Sequence, residues 1–112
     1  MPREYRDYLE DISDSIRKIK AFTRNMTFEE FTADEKTRDA VLRNLEVIGE
    51  AVKNLPDEIK EDNTEIDWKG IAGLRDILSH AYFGIDDEIV WDIIQNKIPE
   101  LEDKIDGLVE KK

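Results

Sequence analysis

The sequence predicts an all-α fold, an antiparallel bundle of four or five helices. Three observations point there. Apolar residues return at steps of three and four along most of the 112 residues, the period of one helix face. Glycine and proline are sparse, at 5 and 3. No run of alternating β-branched residues suggests a strand. With 39% hydrophobic residues the chain can build one modest core, so residues 1–112 are expected to form a single domain.

The first helix is expected from roughly Arg3 to Thr23. Tyr5, Tyr8, Leu9, Ile12, Ile16, Ile19 and Phe22 form its apolar stripe. Thr27-Phe28-Glu29-Glu30 has capping-box spacing, which predicts a short helical turn carrying Phe28 and Phe31 inward. A second long helix should run from about Asp34 to Leu55 on Val41, Leu45, Ile48, Val52 and Leu55. Gly49 lies inside it, which suits either a close helix crossing or simple tolerance at a cost of about 1 kcal/mol.

Pro56 ends that helix. The stretch from Pro56 to Asp67 is acidic and aperiodic, so it reads as a solvated connector long enough to move. Asp67 is placed to cap a third helix from Trp68 to about Phe83, closed by Gly84. Asp86 or Asp87 can cap a fourth, with Ile89, Val90, Ile93, Ile94 and Ile98 inward. Pro99 should kink it or begin a fifth, which carries Leu101, Ile105 and Leu108.

Composition narrows function by exclusion. There are no cysteines, hence no disulfides and no thiolate metal site. A single histidine also argues against a tight transition-metal centre, so no metal or cofactor is expected. No signal peptide and no apolar run near 18 residues is seen, which predicts a soluble, cytoplasmic protein with no membrane association. The formal net charge of −11 opposes long-range attraction of nucleic acid, whose binders usually present a basic face.

The chemistry-bearing residues gather in the third helix. Ile71, Leu74, Ile77, Leu78 and Ala81 fall on one stripe, while Arg75, Asp76, Ser79 and His80 fall outside it. Asp76 and His80 are four apart and can touch. Arg75 and Tyr82 lie nearly above one another, about 10 Å apart along the axis, whereas Arg75 and His80 are about 140° apart. A shared site therefore needs the long reach of Arg75 or a second copy of the helix. Histidine can take and give a proton near neutral pH, and arginine offers a fixed charge shaped for phosphate. Together they are the minimum chemistry for cutting RNA without a metal.

Trp68-Lys69-Gly70-Ile71-Ala72-Gly73-Leu74-Arg75-Asp76, followed by His80-Ala81-Tyr82-Phe83-Gly84-Ile85-Asp86, closely resembles the signature of HepT-like proteins of the HEPN superfamily. The resemblance extends over nearly the whole chain. Residues Arg43 to Ala51 look like the family's second-helix motif and Val90-Trp91 like its fourth-helix entry. Asp76 stands where the family often has asparagine.

That resemblance implies an all-α homodimer acting as the toxin of a type II- or VII-like toxin–antitoxin module, a metal-independent endoribonuclease paired with an MNT-type nucleotidyltransferase antitoxin. It assigns catalysis to Arg75 and His80, with Asp76, Ser79 and Tyr82 in support. It also suggests Tyr82 as the acceptor of AMP from the antitoxin. The competing expectation is a non-catalytic helical module that binds a nucleotide or the nucleotidyltransferase through the same face.

Overall fold

The computed structural model describes residues 4–74, 78 and 87–110. Among these the chain is helical and carries no strand. Helix α1 spans Tyr5–Thr23, α2 Phe28–Ala33, α3 Glu35–Asn54, α4 Asp57–Asp62 and α5 Trp68–Ala72. Helix α6 spans Asp87–Asp92 and runs through a π-helical turn, Ile93–Lys97, into α7, Ile98–Glu110.

The core is a seam of aliphatic side chains between α1 and α3, closed by α7. From α1 it takes Leu9, Ile12, Ile16 and Ile19, and from α3 Val41, Leu42, Leu45, Ile48 and Val52, all essentially without solvent contact. Ile98, Leu101 and Ile105 cover it from α7. Tyr8 and Asp11 share a cleft with Val47, Glu50 and Asn54, so α1 and α3 run antiparallel. Ser13 lies against Asp106 while Lys20 bonds Glu102 at 2.6 Å, so α7 also runs against α1.

Caps decide where the helices start. Thr27 and Glu30 form the expected reciprocal box: Thr27 Oγ1 accepts from the Glu30 amide at 3.1 Å, and Glu30 Oε1 accepts from the Thr27 amide at 2.9 Å. Asp34 caps α3, accepting from the Thr37 amide at 3.1 Å and the Thr37 hydroxyl at 2.8 Å. Those two bonds, the amide first, hold the Asp34 carboxyl below the usual aspartate range. The turn ahead of α2 passes through Asn25 in a left-handed conformation (φ 62°), which asparagine tolerates better than most residues.

Several expectations are corrected. Tyr5, Phe22 and Ile89 do not join the core; they are 39%, 43% and 43% exposed. Phe22 sits about 90° from the centre of the buried α1 stripe, Tyr5 lies in its first turn, and Ile89 is about 100° from buried Val90. Ser15 and Thr23 are buried on α1 instead, the Thr23 hydroxyl bonding back to the Ile19 carbonyl at 2.8 Å. The stretch after Pro56 is not a bare connector, because it contains α4. No residue of α4 is buried, which is why it leaves no hydrophobic period. Its acidic first turn, Asp57 and Glu58, favours a helix N-terminus electrostatically.

Pro99 falls in the first turn of α7 without breaking the helical path. The Ile98 amide bonds to the Ile93 carbonyl, a five-residue step. That wider turn accommodates a residue lacking an amide hydrogen and clashing with the preceding turn. Asp87 is the first residue of α6 rather than its cap. The expected helix from Trp68 to Phe83 is interrupted, since α5 ends at Ala72 with a turn at Gly73. Leu74 and Leu78 are again helical and buried, as expected. Ile77, Ala81, Phe83, Gly84 and Asp86 lie outside the described residues.

Candidate functional site

The predicted site residues Arg75, Asp76, Ser79, His80 and Tyr82 all lie outside the described residues. The structure describes the frame on either side of them, in which Asn63, Lys104 and Arg38 had no role in the sequence reading.

On the N-terminal side, the frame is fixed by polar contacts. The Asp67 carboxylate accepts from the Gly70 amide at 3.0 Å and starts α5. A Cβ at Gly70 would meet that carboxylate, whose end would have to shift to admit it. Trp68 is buried, and its indole Nε1 donates to the Asn63 carbonyl at 3.0 Å. Asn63 is itself buried and donates through Nδ2 to the Ile59 carbonyl at 2.8 Å. Lys104 Nζ donates to the Glu65 carbonyl at 2.7 Å, tying the same corner to α7. Each buried polar group in this corner has a partner, which avoids the desolvation penalty of an orphan.

Leu74 and Leu78, 7% and 3% exposed, are one turn apart and extend the core beyond Gly73. Beside them, Ile66, Ile71, Leu74, Ile93, Ile98 and Leu101 line an apolar cleft of about 220 Å³.

On the C-terminal side, Asp87 accepts a charged hydrogen bond from Arg38 Nε on α3. Trp91 then packs on α2, its ring centroid 5.3 Å from Phe31 and 6.2 Å, edge-on, from Phe28. Arg38 had no predicted role. It stands 49 residues from Asp87 in sequence, and no local pattern joins them.

Arg17, Lys20, Arg43 and Lys104, like Arg38, lie against carboxylates. Among the described residues no group of three or more Asp, Glu or His side chains could hold a metal ion. None of the described helices is long and apolar enough to cross a membrane.

Comparison with known proteins supplies the family. The profile described as "Ribonuclease HepT-like" matches residues 12–108. The chain is 47% identical over 108 residues to "Probable ribonuclease HepT" of Thermococcus cleftensis, covering 96% of this chain and 98% of that one. It is 53% identical over 100 residues to a Methanocaldococcus jannaschii protein named as a candidate RNase, covering 88% and 83%. A Caldanaerobacter subterraneus protein, also named as a candidate RNase, is 42% identical over 106 residues and 95% of each chain. No solved structure matches the chain significantly. With its helical architecture and near end-to-end similarity, this chain belongs to the HepT-like ribonuclease family.

Proposed function

We propose that this chain is a metal-independent endoribonuclease, the toxin of a two-gene toxin–antitoxin module, working in the cytoplasm as a homodimer of one domain spanning residues 1–112. What supports the reading above all is the family match over residues 12–108, a span that contains the whole Arg75-x4-His80-x-Tyr82 pattern.

In this reading His80 takes the proton from a ribose 2′-hydroxyl. The 2′-oxygen bonds to the adjacent phosphorus as the bond to the 5′-oxygen breaks. The imidazolium of the second protomer's His80 supplies the proton to the leaving oxygen. Arg75 stabilises the charge gathering on the phosphate oxygens, and Asp76 or Ser79 orients the imidazole or holds a phosphate. The products are a 2′,3′-cyclic phosphate and a 5′-hydroxyl. An MNT-type nucleotidyltransferase silences the toxin by transferring AMP from ATP to Tyr82: the phenolic oxygen gives up its proton and bonds to the α-phosphorus as the bond to pyrophosphate breaks, setting an anion beside Arg75.

A second reading, a non-catalytic module that binds a nucleotide or the nucleotidyltransferase, is favoured by the net charge of −11 and by the paired cations noted above. One set of measurements separates the two. RNA cleavage by the purified chain is expected to persist in EDTA and to fall by at least about 10²-fold in His80→Ala and Arg75→Ala, with helicity and sedimentation as a dimer retained. Activity lost in EDTA and restored by Mg would indicate a carboxylate-bound metal instead. Full cleavage by His80→Ala removes the mechanism. A wild-type chain that binds the nucleotidyltransferase but cuts no RNA is the second reading.

A further inference from the structure

The ion pair between Arg38 and Asp87 differs from the other charge pairs of the described residues. Arg17–Asp14 and Arg43–Glu46 lie within single helices and are mostly exposed, and Lys104–Glu100 spans one turn of α7 at 3.6 Å. Arg38 and Asp87, like Lys20 and Glu102, join two elements, but their cation is far less exposed: the side chains are 18% and 28% exposed against 48% and 22%. Solvent and salt screen such a pair less than a surface one.

Its position in the chain is equally particular. Leu78 is held by the core, and Asp87 is where α6 begins. The residues between them include His80 and Tyr82. The body of α6 has its own anchorage, through buried Val90 and through Trp91 against Phe28 and Phe31. The ion pair is therefore not the sole anchor of α6. It acts on the first residue of that helix, where the chain leaves the motif.

We propose that Arg38 and Asp87 are positioning residues, a half-buried clasp that sets the C-terminal end of the segment bearing His80 and Tyr82. The proposal deepens the ribonuclease reading and, for its kinetic consequence, rests on it. Displacing a catalytic group by about 1 Å can cost about 10²-fold in rate, so the clasp should be felt in kcat more than in substrate affinity.

The test uses the full chain and two independent readouts. Because His80 is the sole histidine, its imidazole Hε1 gives one assignable NMR signal that reports local geometry whether or not the protein cleaves RNA. In Arg38→Gln and in Asp87→Asn that signal is expected to shift, while the melting temperature stays close to wild type. Cleavage of an RNA oligonucleotide should lose about 10- to 100-fold in kcat, with KM within about twofold. Arg38→Lys, which keeps the charge, should recover most of both effects. Should Arg38→Gln fail to fold, Asp87→Asn carries the test. An unchanged imidazole signal in the folded variants overturns the clasp. So does a kcat loss that tracks falling melting temperature, or one not recovered by Arg38→Lys. A wild-type chain without cleavage defeats the ribonuclease reading alone, and the imidazole signal still decides the clasp.

Discussion

The seam between α1 and α3 and the corner from Leu55 to Leu74 hold the chain by different means. The seam is aliphatic and sealed: Leu9, Ile12, Ile16 and Ile19 meet Val41, Leu45, Ile48 and Val52 at essentially zero exposure. Its stabilisation comes from apolar area removed from water, about 25 cal/mol per Å², and is shared among many contacts. The corner buries fewer side chains, chiefly Leu55, Ile66 and Trp68. It depends on single directed bonds, from Trp68 to Asn63, Gly70 to Asp67 and Lys104 to Glu65. A hydrophobic seam tolerates small shifts because its attraction has no direction, whereas a hydrogen-bonded corner specifies one arrangement. Stability resides mainly in the seam. The placement of the chain entering Arg75 resides in the corner.

That division is open to attack, most forcefully in the seam. Ile48→Ala should cost about 2–5 kcal/mol in chemical denaturation, yet leave cleavage per folded molecule unchanged well below the melting temperature. A comparable loss of cleavage would mean that the seam also sets the site. The corner should behave in the opposite way. Trp68→Phe keeps most of the ring volume but removes the indole donor, at about 0.5–1.5 kcal/mol, because the Asn63 carbonyl still accepts from the Ile66 amide. Measured on folded protein, its cleavage should fall further than that of Ile48→Ala. If the two variants rank the other way, the corner is merely a lid on the core.

The smallest effect expected is electrostatic and belongs to neither region. Asp34, at the start of α3, has its carboxyl held below the ordinary range, first by the Thr37 amide and then by the Thr37 hydroxyl. A carboxyl whose pKa is lower when folded contributes stability above its unfolded pKa, and that contribution is lost as pH falls through the folded value. Asp34→Asn retains a capping oxygen but cannot titrate. Wild type should therefore exceed the variant by a small margin at neutral pH, a margin that closes on acidification. Denaturation midpoints across that range supply the measurement, and a margin constant with pH would show that the charge adds nothing.

Much of this was legible in the residues because the causes are local. The stripes of α1 and α3 obey a period set by helix geometry. Thr27, Asp34 and Asp67 lie within three residues of the amides they cap. The stretch from Arg75 to Tyr82 was read from residue types and a family resemblance alone, and it lies outside the described residues. Periodicity misled at the margins: Phe22, Tyr5 and Ile89 match the apolar spacing but remain about two-fifths exposed. It was silent on α4, a helix that buries nothing.

By itself the sequence determined the all-α class and the long helices α1 and α3 with the caps at Thr27, Asp34 and Asp67. Each follows from interactions reaching a few residues along the chain. Only the tertiary structure decided which stripe positions are sealed, how a wide turn at Ile93–Lys97 carries the helix past Pro99, and that Lys104 reaches Glu65 and Arg38 reaches Asp87. Those partners stand 39 and 49 residues apart. At such separations a charge or a carbonyl selects its partner only after packing of the apolar seam has brought the elements together.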